Sequence, residues 1–193
     1  MAKNDTTTVD KEIDDLLTKI TTLEEMLEQK CDEKRRQHLY KLEGRKAIFD
    51  DAVKQQHARQ RIGVFAYMRK LSFKTHLTGP VVYAMVIPFA FMDLCVSIYQ
   101  KICFWAWEIP TVKRSEYVFI DRHHLSYLNG AEKLYCIFCG YANGVTAFTR
   151  EVSARTEKYW CPIKHASKIK QAHIHYRDFI DYGDADSWRN KDH

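Results

Sequence analysis

From Gly79 to Trp107 the chain reads GPVVYAMVIPFAFMDLCVSIYQKICFWAW, and only Asp93 and Lys101 in it are charged. A run this apolar must leave water, so it fixes what the rest of the chain can build around it. Spanning a hydrocarbon core of about 30 Å takes about 20 apolar residues, and residues 81–99 are just long enough. Two features complicate a straight span. Pro88 sits in its middle, where it kinks or breaks a helix. Beyond it, Asp93, Ser97, Gln100 and Lys101 recur at helical spacing and form one polar stripe. Such a stripe belongs to a helix lying in the interface or facing a partner. Trp105 and Trp107 then supply interfacial anchors. The rival reading is the buried hairpin of a soluble protein.

Charge separates these two. The net charge is +5, but residues 1–62 carry as many acids as bases, so the excess is local. Arg59, Arg61, Arg69, Lys70 and Lys74 precede the apolar run with no acid among them. A basic flank of this kind suits anionic headgroups. Membrane association, with lipid as partner, is the resulting expectation. Bases also follow the run at Lys101, Lys113 and Arg114, so the positive-inside asymmetry is mild. A re-entrant element broken at Pro88, with both ends cytosolic, accounts for the proline, the stripe and both flanks. A single pass is the alternative.

The polar opening MAKNDTTTVDKEIDD lacks a signal-peptide pattern. That favours a reducing compartment, where clustered cysteines bind metal or act in redox chemistry. Residues 1–9 read as disordered. From Asp10, the residues Ile13, Leu16, Ile20, Leu23 and Leu27 alternate three and four apart, an a/d seam that stops at Lys30 and Lys34. Apolar residues resume at Leu39, Leu42, Phe49 and Val53, out of register, with Gly44 weakening a helix there. Residues 10–62 thus predict a polar helix or short coiled coil that forms a homo-oligomer through residues 10–58, a helical hairpin packed on itself, or a plain solvated helix, ahead of a basic flank and membrane-associated segment over 63–107.

Residues 108–182 read as a small helical Cys/His domain and 183–193 as an acidic flexible tail. Tyr117 to Ile120 suggests a short strand or a buried linker. A helix follows with Val145, Phe148, Val152 and Tyr159 on one face, and CPIKHASKIKQAHIHYRDFIDY reads as another. Cys136 and Cys139 are three residues apart, so both sulfurs share a helix face. Cys161 precedes Pro162, which favours the first helical position and makes Cys161 the expected N-cap. There the helix dipole would stabilise a thiolate, with His165 one turn on. Cys136, Cys139, Cys161 and His165 therefore form a candidate Cys3His zinc set. A redox dithiol at Cys136–Cys139 and an iron–sulfur centre are weaker alternatives, and buried unliganded cysteines remain the bland one.

The site needs a break in the chain. One straight helix over residues 141–159 would hold the two arms about 28 Å apart. Asn143-Gly144 is a turn signal, and a helix starting near Val145 lets the arms return to a common point. His123, His124, His173 and His175 are further candidate ligands, at most one from each pair. A lone histidine, however, is more often hydrogen-bonded than ligating.

The segments YVFIDRHHLSYLNGAEKLYCIFCGYANG and REVSARTEKYWCPIKHA resemble a family of small bacterial membrane-associated proteins with a CxxC and WCPIKHA signature. The resemblance covers roughly residues 65–185 and transfers no activity. It implies that the apolar and Cys/His segments form one module. With the basic flanks and the polar opening, the expected location is a bacterial inner membrane, cytoplasmic face preferred. No catalytic constellation stands out, although Asp121 beside His123 and His124 would suit acid–base work. Nucleic acid is disfavoured as a partner, since a basic helix beside a membrane has the same composition. The sequence thus predicts a mainly α protein, an anchor or adaptor for an unknown protein partner. A membrane redox or metal-handling protein is the first alternative, and a metalloenzyme the second.

Overall fold

The computed structural model describes residues 3–37, 40–43 and 46–191, and the chain divides into two compact units at Gln60. It is mainly helical, as expected.

In the first unit, α1 (Lys3–Gln37) is one continuous helix. It begins seven residues before the pattern that predicted it, because extending a formed helix adds one hydrogen bond per residue ordered. Ile13, Leu16, Ile20, Leu23 and Leu27 are all exposed on it. The second half departs from expectation. The chain does not continue as helix but forms an antiparallel hairpin, β1 (Tyr40–Glu43) with β2 (Lys46–Phe49), before α2 (Asp51–Arg59). Tyr40 pairs with Phe49, with ring centroids 5.3 Å apart. Aromatic and β-branched residues favour such cross-strand pairs, which explains why the helical register was lost after Lys34. Gly44 and Leu39 lie outside the described residues.

The second unit starts with α3 (Val64–Lys70) and α4 (Phe73–Ala84). Next comes α5 (Val86–Tyr99), which runs into a π-helical turn at Gln100–Phe104. The chain does not reverse at Pro88. Met85 alone interrupts the helical pattern, and its backbone stays near the right-handed helical region at φ −64°, ψ −13°. Proline has no N–H to give to the carbonyl four residues back, so the irregular turn falls just before it. Residues Phe73–Phe104 therefore read as a single helix long and apolar enough to cross a membrane.

After Trp107 the chain turns back as an irregular strap, over about residues 109–121, with one 3-10 turn at Arg114–Glu116. It then enters α6 (Gly130–Trp160) through a capping box, in which Asn129 accepts from the Glu132 N–H and Glu132 accepts from the Asn129 N–H. The contacts fix the topology. Tyr83 packs on Tyr135 and Phe138, Asp93 meets Tyr141, and Trp107 stacks on Tyr159. Both sequence numbers rise together, so α5 and α6 run parallel. The strap runs the other way between them, from Val112 against Gln100 to Phe119 against Gly140. The core lies where all three meet: Phe104, Val112, Phe148 and Val152 are buried, with Tyr99, Trp107 and Tyr117 packed around them.

Beyond α6 the expected final helix is absent. Residues 161–180 are irregular, closed by a parallel bridge between Ile163 and Ile180 and a short 3-10 turn at Ile174–Asp178. Pro162 does not start a helix here: its carbonyl accepts the Ile180 N–H. The expected flexible tail carries a short helix, α7 (Ala185–Arg189), capped by Asp184.

Candidate functional site

Of the polar stripe, Asp93 and Gln100 are buried against the protein and Ser97 is half-buried, whereas Lys101 is exposed. The Asp93 carboxylate is buried and receives two bonds from Arg114 of the strap, at 2.8 and 2.7 Å, and one from the Tyr141 hydroxyl at 3.0 Å. Burial, then the bond to Asp93, raises the Tyr141 hydroxyl above its ordinary range, so it stays a donor. Two turns on, the buried Gln100 side chain accepts from the Val112 N–H at 2.7 Å and donates to the Val112 carbonyl at 3.2 Å. The Gln100 clamp satisfies the Val112 backbone, which has no sheet partner of its own, and the Asp93 clamp fixes the strap through the Arg114 side chain.

Two glycines let the strap lie against α6. A Cβ on Gly140 would stand 2.7 Å from the Phe119 carbonyl oxygen, and one on Gly144 would stand 2.7 Å from Val118 Cα. Asn143-Gly144 is therefore not a turn. Asn143 sits in the helix and donates from its side chain to the Cys139 carbonyl, and Gly144 serves close approach.

This geometry decides the four predicted ligands. α6 is unbroken from Gly130 to Trp160. Cys136 and Cys139 lie in its first third, the former half-buried and the latter exposed, while Cys161 forms its C-cap. The helix rise separates Cys139 from Cys161 by about 33 Å, so one chain does not bring the two arms together. Cys161 is also at the opposite kind of helix end from the one expected, where the dipole disfavours a thiolate. His165 is exposed beyond it, its N–H held by the Tyr176 hydroxyl at 2.6 Å. Among the described residues no group of three or more His, Cys, Asp or Glu is placed to hold a metal ion.

The other histidines are mostly tied down. His173 bonds Glu157 at 3.0 Å and His175 bonds Glu151 at 3.1 Å, which fastens the C-terminal segment to α6. His123 and His124 sit in a 3-10 turn with rings 3.9 Å apart.

The opposite side of the apolar helix is bare. Phe73, Leu77, Val81, Ile87, Phe91, Leu94, Ile98, Ile102 and Trp105 are all exposed, most by more than half. From Ile87 onward they recur four, three, four, four and three residues apart, one continuous apolar face. Sequence reasoning found the polar stripe but not its complement, which is the larger feature. Compared with known proteins, the chain matches no family model, no curated protein and no solved structure.

Proposed function

We propose that residues 61–193 form a membrane anchor whose apolar helix lies in one leaflet, making the chain an anchor or adaptor for whatever its N-terminal helix gathers. The uncovered face from Phe73 to Trp105 carries this reading: a patch of that size on a water-soluble surface marks an interaction site. The strap argues for lying in the leaflet over crossing it. Lys113, Arg114 and Glu116 are exposed beside α5, level with Asp93 and Gln100. A crossing α5 would carry these charges into the hydrocarbon centre, at about 2.5–3.5 kcal/mol for each base. Irregular backbone is also tolerated at that depth only when protein covers it. Lying in the interface, the helix turns Phe91 and Ile98 to lipid and the strap to water.

Two measurements test this. Full-length protein should float with phosphatidylcholine vesicles, and Phe91→Glu with Ile98→Glu should abolish flotation while leaving helicity unchanged. In sealed vesicles, cysteines placed at Lys70 and Lys113 in a cysteine-free chain should label from the same side with an impermeant maleimide. Labelling from opposite sides would establish a crossing and overturn the leaflet reading.

Self-association of α1 belongs to the same reading. Ile13, Ile20 and Leu27 fall at a, Leu16 and Leu23 at d. Isoleucine at the first two a positions with leucine at d favours parallel two-stranded coils. In that register Lys19 at g meets Glu24 at e of the second copy, an attractive pair. Sedimentation should give a dimer that Leu16→Lys with Leu23→Lys makes monomeric; a monomeric parent chain would sink this part alone.

A further inference from the structure

Where the bare face ends at Trp105, a cleft of about 430 Å³ opens, lined by Trp107, Pro110, Arg155, Lys158, Tyr159 and Lys191, with Glu108, Ile109 and His175 completing it. One wall is aromatic, the Trp107 ring stacked on Tyr159 with centroids 5.6 Å apart and planes 11° from parallel. The other is cationic and held in place. Arg155 is braced by Glu151 at 2.8 Å and by the Pro110 carbonyl at 2.7 Å. Lys191 donates to the Tyr159 carbonyl at 3.0 Å. Lys158 has only a long contact to Asp178, 3.8 Å away.

The lining itself is rich in cations: Arg155, Lys158 and Lys191 stand there with one carboxylate, Glu108. Behind it Glu151 pairs with Arg155 and Asp178 lies 3.8 Å from Lys158. The last carbonyls of α6 are worth about half a negative charge, and Lys191 takes one of them. A fork-shaped guanidinium with two ammonium groups suits the oxygens of a phosphate. The tryptophan face beside them suits the apolar body that a phosphate ester carries.

We propose that this cleft binds a phosphate ester, and that in the cell the ester is the headgroup phosphate of an anionic glycerophospholipid. The lipid source rests on the membrane reading: Trp105, exposed and two residues from Trp107, puts the cleft at headgroup height. The phosphate chemistry does not depend on it.

The test uses full-length protein in neutral detergent at physiological salt. It is titrated with dihexanoyl phosphatidylglycerol, dihexanoyl phosphatidylcholine and glycerol 3-phosphate, and read by tryptophan fluorescence and by native mass spectrometry. One phosphatidylglycerol per chain is expected to bind, at least tenfold more tightly than phosphatidylcholine. Lys158→Gln with Lys191→Gln should weaken it at least tenfold. Binding that is equal for the two lipids, or unchanged in the double variant, overturns the proposal. Glycerol 3-phosphate binding as tightly as phosphatidylglycerol would keep the phosphate site and overturn the lipid as its source. Flotation on pure phosphatidylcholine vesicles separates this from the membrane reading. The lysine variant should still float there, and a parent chain that binds phosphatidylglycerol without floating would refute the anchor alone.

Discussion

At the residue scale, two glycines show how one letter serves opposite ends. Gly144→Ala drives a methyl group to 2.7 Å from Val118 Cα and 2.8 Å from the Tyr117 carbonyl oxygen, both backbone atoms. The strap must move, at a cost of about 1–3 kcal/mol. Gly79 stands in α4 with nothing beyond its chain neighbours within 4 Å of its would-be Cβ, so Gly79→Ala meets only the restriction set by the following Pro80 and displaces no packed segment. The denaturant midpoint should fall further for Gly144→Ala than for Gly79→Ala; a Gly144→Ala midpoint unchanged from the parent chain would mean the strap is not packed on α6. The dipeptide Asn143-Gly144 was legible as a signal but misread, because a turn and a close approach both select glycine. The spacing that would have decided it was present: Gly140 and Gly144 lie one turn apart in a helix with no charge from Leu134 to Thr149. Cys161-Pro162 failed for a related reason. Proline ends helices as well as beginning them, and the local sequence does not say on which side the helix lies.

At the element scale, the C-terminal segment is joined to α6 through carboxylates. Burial works to raise the Glu151 carboxyl, but the bonds from Arg155 and then His175 outweigh it and hold it below its ordinary value. A carboxyl depressed by folding contributes stability above its unfolded pKa, about 4.3, and loses it as pH falls through the lower folded value. Glu151→Gln should therefore lower the melting temperature at pH 6, by about 1.5 kcal/mol in stability. Its gap from the parent chain should close between about pH 5 and pH 3. A gap that persisted unchanged at pH 3 would show that the pairing contributes nothing through charge. The helices themselves were largely legible. Val145, Phe148 and Val152 are buried as their period implied, whereas Tyr159, expected on the same face, is exposed, and Asp93 and Gln100 of the stripe meet a partner as their spacing implied. The partner was not legible. It is an irregular strap from the same chain, and no periodicity marks a segment held by a single 3-10 turn and by side chains of other elements.

At the scale of the whole molecule, the chain is two units joined near Gln60. Arg59 and Arg61 flank the junction and are exposed. Brief trypsin treatment should cut there first and leave a fragment starting at residue 60 or 62 that keeps the melting temperature of the second unit. Such cleavage should also separate the oligomer from the vesicle-bound fraction. Earlier cutting within the strap would show the second unit to be the looser one.

The parallel course of α5 and α6 also orders events during synthesis. The Asp93 carboxylate has Arg114 as a partner 21 residues later and Tyr141 48 residues later. At about 5–20 residues per second, Tyr141 follows on the order of 2–10 s after Asp93. Until Arg114 follows, on the order of 1–4 s after Asp93 at the same rate, the nascent helix carries an unpaired charge on one side and bare hydrocarbon on the other. A fully apolar helix would have no reason to wait for α6. This one keeps a side that prefers water until the strap arrives to claim it.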